Sequence, residues 1–366
     1  MKFICEKQKL HEGISIASKA ITGKTTMPIL EGIYITGKGN SLTLIGSDKD
    51  VSIETKVEAN ILEEGMLVID AKIFGEIIRK LPNSEVTIET LENDIMQITC
   101  EKSTFNLVYM NGEDYPTIPE IDEELSVEVP QNILKSMIRG TSFAIAQDET
   151  RPILQGILFE VKNRSLNLVA LDGYRLAIRS EFLDNDNNIQ VVIPGKTLNE
   201  VSRILEDSDE IVKITFTKNQ ILFNLNNTKV ISRLLEGKFV DYISFLPQEH
   251  KITIDVKKQQ LQNCIERASL MAKDSNTNLI KLDVQEENII ITSNSQLGKV
   301  REEVGINLQG DLIQIAFNSR YLLDVLKNIE SDDIILEMTS NVSPCVIKCR
   351  NTDNAKYLVV PVRLLR

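Results

Sequence analysis

The chain has few of the residues that build catalytic or metal centres. Its 366 residues include two histidines and five cysteines, with 5% aromatic side chains and no tryptophan. His11 lies inside an amphipathic helical pattern and His250 in a linker. Neither has a second histidine nearby, so neither suggests a base or a zinc ligand. Cysteines 5, 100, 264, 345 and 349 form an odd, sparse set that reads as reduced. Cys345 and Cys349 sit four apart on a probable strand, which points to buried thiols rather than a zinc pair. No apolar run approaches the ~20 residues of a membrane span. Glu6 puts a charge where an export signal would be apolar, so no such signal is visible, and the cysteine usage predicts a cytoplasmic protein. Positive charge is also short: 41 Lys and Arg against 53 Asp and Glu leave a net charge of −12. On average that argues against binding a polyanion. What is present is ordinary globular material, 42% hydrophobic and 26% charged, enough for two or three domains and too apolar for disorder.

The chain repeats itself. Gly65–Leu81, Ile189–Leu205 and Leu312–Ile329 each read as an apolar strand, a short turn and a helix. The cation after the turn is Lys72, Lys196 or Arg320, at a constant spacing of 124 residues. Behind each, Phe74, Ile77, Ile78 and Leu81, then Leu198, Val201, Ser202 and Leu205, then Leu322, Val325, Leu326 and Ile329 fall on one helical face. An earlier helix recurs as Leu10, Ile14, Ala17 and Ile21, then Leu134, Ile138, Thr141 and Ile145, then Leu261, Ile265, Ala268 and Ala272. Between the two helices lies a hairpin, with turns at Gly37–Asn40, Lys162–Ser165 and Gln285–Asn288. Each unit is helix, strands, helix, strands. A proline-rich, acidic connector at 115–124 and a second connector at 246–251 separate three α+β domains, 1–120, 125–247 and 250–366.

Two Gly-Lys-Thr triplets, at 23–25 and 195–197, invite comparison with a phosphate-binding loop. That loop needs a glycine five residues before the Gly of Gly-Lys, where Ser18 and Gln190 stand. The equivalents of the second triplet in the other repeats, Ala71-Lys72-Ile73 and Ser319-Arg320-Tyr321, keep only the cation. The plain reading is a helix start that displays one positive charge. Asp48 and Asp50 fit a local turn better than a calcium loop. No serine or cysteine has a nucleophile's setting. The catalytic inventory is poor, and the residues predict no metal and no cofactor.

Charge is distributed unevenly. The six predicted helices, 7–20, 71–81, 131–147, 195–205, 257–273 and 318–329, sum to +11, which leaves −23 for the rest. Exposed helices favour Lys, Arg and Glu alike as helix formers. The bias therefore needs a further cause, and helices gathered on one side would present a positive field to a polyanion.

With this architecture the chain resembles the family of β sliding clamps of bacterial DNA polymerase III. The likeness covers the whole length. It is most specific at Leu171-Asp-Gly-Tyr-Arg-Leu-Ala177, Gly237-Lys-Phe-Val-Asp-Tyr242 and Tyr357-Leu-Val-Val-Pro-Val-Arg-Leu364, with Met1-Lys-Phe and Met27-Pro-Ile-Leu30 in agreement. The resemblance implies the DNA-clamp fold: a head-to-tail homodimeric ring with helices inside and sheets outside. It implies a processivity factor without enzymatic activity, which encircles duplex DNA, binds the polymerase III catalytic subunit and other repair and replication proteins, and is opened by a clamp loader. Loose, sequence-independent phosphate contacts suit sliding. Lys24, Lys72, Lys196 and Arg320 are the foremost candidates for them, with Arg79, Lys80 and Arg203 beside them.

The resemblance also implies a hydrophobic peptide cleft between the second and third domains. The matching positions are Leu154, Gly173, Tyr174, Arg175, Leu176, Val240, Phe245, Val342, Pro344, Leu358, Val360, Pro361, Val362 and Arg363. Tyr174 stands where histidine is frequent, Val240 where proline is, and Val360 and Val362 where methionine is familiar. Valine is stiffer than methionine, which predicts a narrower partner range. Across the dimer boundary, Phe105 and Leu107 are expected to meet Leu270 and Met271. On residues alone, an enzyme with a site between repeats and a scaffold that ignores DNA stay open as alternatives. Retention on circular but not linear DNA separates a clamp from both.

Overall fold

The computed structural model describes residues 1–363 except 24, 119–120, 122–124, 149, 273–277 and 297. The candidate DNA contact Lys24 and the terminal residues 364–366 lie outside the described residues. The α-helices are α1 (Lys7–Ala17), α2 (Ala71–Lys80), α3 (Gln131–Ser142), α4 (Gly195–Ile204), α5 (Lys258–Ala272) and α6 (Ser319–Asn328). All match predicted helices. α1 and α3 stop short of the predicted ends, α1 running into a 3-10 turn at Ser18–Ala20.

By compactness the chain forms two units, residues 1–134 with 196–234, and residues 135–195 with 235–366. In the first unit a nine-stranded antiparallel sheet joins strands from residues 32–111 to strands from 125–130 and 211–233. The join is the pairing of Val51–Glu58 with Thr228–Arg233. A five-stranded sheet built from residues 2–6, 60–63 and 85–108 completes the unit. Alternating residues of both sheets, Phe3, Ile35, Leu44, Leu67, Ile88 and Ile98, share one core with Leu10 and Ile14 of α1 and Phe74 and Ile78 of α2. This is the layered arrangement a helix with one apolar stripe requires. Close approach decides one glycine here: a Cβ on Gly46 would lie 2.1 Å from the Ala17 carbonyl oxygen.

The second unit repeats the plan. A nine-stranded sheet joins strands from residues 156–194 to strands from 252–257, 307–309 and 333–359, and the join is Arg175–Phe182 against Ala355–Val359. A four-stranded sheet from residues 279–318 carries α5 and α6. The two joins are equivalent under the repeat, since residues 51 and 175 stand 124 apart. A strand of one repeat thus pairs side by side with a strand of the next, which is why compactness does not follow the repeat boundaries.

Candidate functional site

The cations of the second helix in each repeat occupy one structural position. α2 is capped by Asp70, whose Oδ1 accepts from the Ile73 amide over 2.7 Å, and α6 by Asn318, whose Oδ1 accepts from the Arg320 amide over 3.0 Å. Such caps place the next residues on the open side of the first turn. Lys72, Lys196 and Arg320 are all exposed, while Phe74, Leu198 and Leu322 beneath them are buried. Arg79, Lys80 and Arg203 are exposed as well.

Their electrostatic states differ. Lys196 Nζ donates to Asp48 Oδ2 over 2.5 Å. Arg79 pairs with Glu76 at 2.6 Å and Arg203 with Glu200 at 2.7 Å, each one turn back on its own helix. Lys72, Lys80 and Arg320 make no ion pair among the described residues. The seven candidate cations therefore divide: Arg79, Lys196 and Arg203 are compensated within the protomer, Lys72, Lys80 and Arg320 are not paired among the described residues, and Lys24 is not described.

The Gly-Lys-Thr triplet at 195–197 opens α4 and contributes packing. A Cβ on Gly195 would sit 2.5 Å from Ile145 Cδ1 and 2.9 Å from the Gln155 carbonyl oxygen. Thr197 is buried, its hydroxyl 2.8 Å from that of Ser232. Asp48 accepts at Oδ1 from the amides of Asp50 and Val51, so Asp48-Lys49-Asp50 is the local turn expected.

The predicted cleft residues all fall in the second unit. Leu154, Leu176 and Leu358 share one apolar cluster, with Val240 and Val360 half-buried against it. The strand register sets Leu176 opposite Leu358 and Arg175 opposite Val359. The chain then leaves the sheet. Val360 N–H donates to the Tyr174 carbonyl over 2.9 Å and Val362 N–H to the Ala316 carbonyl over 2.7 Å. These two bonds hold segment 360–362 between the 172–175 loop and the strand Ile313–Asn318. Val342 is exposed, and Pro344 enters Cys345–Cys349, whose first residue pairs with Val359. Phe245 is 48% exposed at the end of a turn whose first residue, Tyr242, belongs to the cluster. Gly173 takes a left-handed conformation, φ 92°, which turns the chain so that the Tyr174 and Arg175 amides both donate to Asp172 Oδ1. The structure places Pro361 and Val362 at intermediate exposure and Arg363 in solvent.

Two residues absent from the sequence-based set complete this face. The Tyr321 ring stacks on that of Tyr174, centroids 5.7 Å apart and planes 18° apart. Asp324 pairs with Arg175, whose guanidinium also donates from Nε to Asp172 Oδ2 over 3.0 Å. Both lie on α6, which the repeat had marked only for its cation and its buried stripe. No local motif connects them with the 172–175 loop.

Among the edge strands of the described residues, two stand where the repeat elsewhere joins one sheet to the next. Ser103–Val108 borders the five-stranded sheet and Gly298–Gly305 the four-stranded one. Phe105 is 39% exposed on the first. Leu270 is 60% exposed on α5, and Met271 Sδ lies 3.8 Å from a Cβ placed on Gly298 at the start of the second. Leu107 is half-buried against the first unit's core. No cluster of metal-ligating side chains occurs among the described residues. No helix among them is long and apolar enough to cross a membrane.

Residues 1–119, 128–241 and 243–363 match, in order, the N-terminal, central and C-terminal domains of the DNA polymerase III beta subunit. The beta sliding clamp of Bacillus subtilis is 38% identical, over 99% of this chain and 100% of that one. The crystal structure of the Bacillus subtilis DNA polymerase sliding clamp superimposes with TM-score 0.96 at 37% identity, covering 100% of both chains. That of a DNA polymerase III beta subunit from Eubacterium rectale gives 0.94, also at 37% identity and 100% coverage of both.

Proposed function

The chain belongs to the DNA polymerase III beta-subunit family, the β sliding clamps, and on that premise we propose which of its surfaces carry the interactions of a clamp. The protein is a processivity factor and not an enzyme: it encircles duplex DNA as a ring dimer and tethers the polymerase and other partners to it. Three clamp domains, 1–120, 125–247 and 250–366, are the units of that ring. It works in the cytoplasm and is opened by a clamp loader.

One observation carries the DNA-facing assignment. Each repeat displays an exposed cation at the first turn of its second helix, in residues 72, 196 and 320. Exposed cations on helix surfaces give phosphate contacts that are weak, salt-sensitive and indifferent to sequence, as sliding demands. Lys72, Lys80 and Arg320 supply the strongest of these contacts, Lys24 adds to them, and Arg79, Lys196 and Arg203 add less because carboxylates already neutralise them.

Partner peptides take the cleft. Leu154, Leu176, Val240, Leu358 and Val360 offer a continuous apolar floor, and Tyr174, Phe245, Val342, Pro344, Pro361 and Val362 its rim. Gly173 lets the 172–175 loop turn, while Arg175 and Arg363 supply polar guidance. An extended segment with leucine or phenylalanine anchors and an acidic flank fits this chemistry.

The dimer follows from the repeat. Two joins between repeats are made within the protomer, with Val230 opposite Ile53 and Tyr357 opposite Ala177. The equivalents of these strands in the remaining join are the edge strands Ser103–Val108 and Gly298–Gly305. By the same register Phe105 of one protomer would stand opposite Val300 of a second copy, beside a proposed contact of Phe105 and Leu107 with Leu270 and Met271. A head-to-tail contact of this kind closes into a ring when the rotation allows. A Phe105→Cys, Val300→Cys variant should crosslink to a covalent dimer under mild oxidation, since opposed strand residues lie within disulfide reach. Each single variant should stay uncrosslinked; a double variant that does not crosslink removes this register.

A further inference from the structure

The second helix of each repeat carries an acid followed three residues later by a cation: Glu76 and Arg79, Glu200 and Arg203, Asp324 and Lys327. In α2 and α4 the pair closes on its own helix, at 2.6 and 2.7 Å. In α6 it does not. Asp324 Oδ2 instead receives Arg175 Nη1, and exposed Lys327 makes no ion pair among the described residues. Arg175 is 11% exposed and held by two carboxylates. Asp172 takes its Nε, Asp324 its Nη1, and its guanidinium lies 4.9 Å from the Tyr321 ring centroid and 5.5 Å from that of Phe143. A guanidinium held by two carboxylates and two ring faces has one orientation, and removing either acid frees it to rotate.

We propose that Asp324 is a positioning residue of the peptide cleft, and that its diversion to Arg175 leaves Lys327 as a further contact for the DNA backbone. The proposal rests on the reading of the cleft and of the helix cations given above. One carboxylate cannot neutralise both partners. Held at Arg175, Asp324 orients the cleft's polar guide and leaves α6 with the net positive surface that α2 and α4 lose at the same position. Lys327 therefore belongs with Lys72, Lys80 and Arg320, whereas its counterparts Arg79 and Arg203 are compensated.

The test uses the full-length chain, a short duplex DNA and a synthetic peptide with leucine and phenylalanine anchors and an acidic flank. Lys327→Gln should lower the slope of log affinity for DNA against log salt by about one, the share of one phosphate contact. Arg79→Gln and Arg203→Gln should each lower it by less. Asp324→Asn should weaken the peptide about tenfold while leaving the DNA salt slope no lower than in the parent. Asp324→Glu, which keeps the charge, should recover most of the peptide affinity; a purely packing role would not distinguish the amide from the longer acid in this direction. An unchanged slope in Lys327→Gln overturns the DNA half. Peptide affinity that survives Asp324→Asn but is lost in Arg175→Ala overturns the positioning half and leaves the cleft intact. If Arg175→Ala also binds normally, the cleft assignment itself fails, and the proposal with it.

Discussion

Lys196 and Asp48, 148 residues apart in sequence, are joined by a hydrogen-bonded ion pair of 2.5 Å. Asp48 is mostly buried and already accepts two backbone amides at its other oxygen, so it is a fixed anchor. Lys196 therefore has a structural duty that Lys72 and Arg320 lack.

Charge reversal separates the two roles. Lys72→Glu and Arg320→Glu should weaken DNA binding, lower its salt slope by about one each, and leave sequence preference and thermal midpoint unchanged. Lys196→Glu should affect DNA binding and also lower the thermal midpoint, because it sets two carboxylates against each other. Anisotropy titrations over a salt series, with a melting curve for each variant, decide the matter. Equal loss of stability in all three variants would contradict the division.

Gly195→Ala should destabilise the fold by about 1–3 kcal/mol, the usual range for overpacking, because the new methyl meets Ile145 and the Gln155 carbonyl. ATP should not alter the urea midpoint of either form. Stabilisation of the parent by ATP would restore a phosphate role to Gly195-Lys196-Thr197.

How much of this was legible in advance varies by element. The constant spacing of Lys72, Lys196 and Arg320 located three helices, because helical period and turn chemistry are local properties of the chain. The same spacing showed that Gly195 was not part of a recurring phosphate loop. The apolar cleft positions came only through resemblance, since Leu154, Leu176 and Leu358 share a cluster that no local pattern joins. Tyr321 and Asp324 were missed for that reason: Asp324 meets Arg175 across 149 residues. A weak signal did exist. The acid at 76, 200 and 324 recurs as regularly as the cation, and a comparison of the three pairs would have raised the question of what the third one does.

The cysteines give a pH dependence. Burial, with a smaller push from the Glu6 carboxylate, raises the Cys5 thiol to about 11, and burial with Glu337 raises that of Cys345 to about 12. Unfolded thiols ionise near 8.5. Between that value and the native ones the unfolded chain has released protons that the native chain keeps, so stability is complete below about pH 8.5 and falls as pH rises toward 11. Urea midpoints should decline from pH 8 to pH 10.5. Ellman's reagent at pH 8 should label almost none of the five buried thiols in the native protein and all five in denaturant. Fast native labelling of Cys5 or Cys345 would contradict their placement.

Removing residues 360–366 should abolish binding of an anchor peptide. It deletes one cleft wall together with the amides of Val360 and Val362 that tie it to Tyr174 and Ala316. The dimer should survive, because the proposed edges are 103–108 and 298–305. Removing only Leu365 and Arg366 should change little. Undiminished peptide affinity in the longer truncation, or its loss only through dissociation of the dimer, would contradict the cleft.

The central claim is topological: the dimer holds DNA by surrounding it. The measurement that tests this is retention of the loaded protein on a nicked circular duplex, followed by gel filtration in moderate salt before and after a single linearising cut. The protein should co-elute with the circle and leave within minutes of linearisation, while the Phe105→Cys, Val300→Cys dimer crosslinked after loading should stay on the circle even in high salt. Equal retention on circle and line, or release of the crosslinked dimer from the intact circle, would contradict the account.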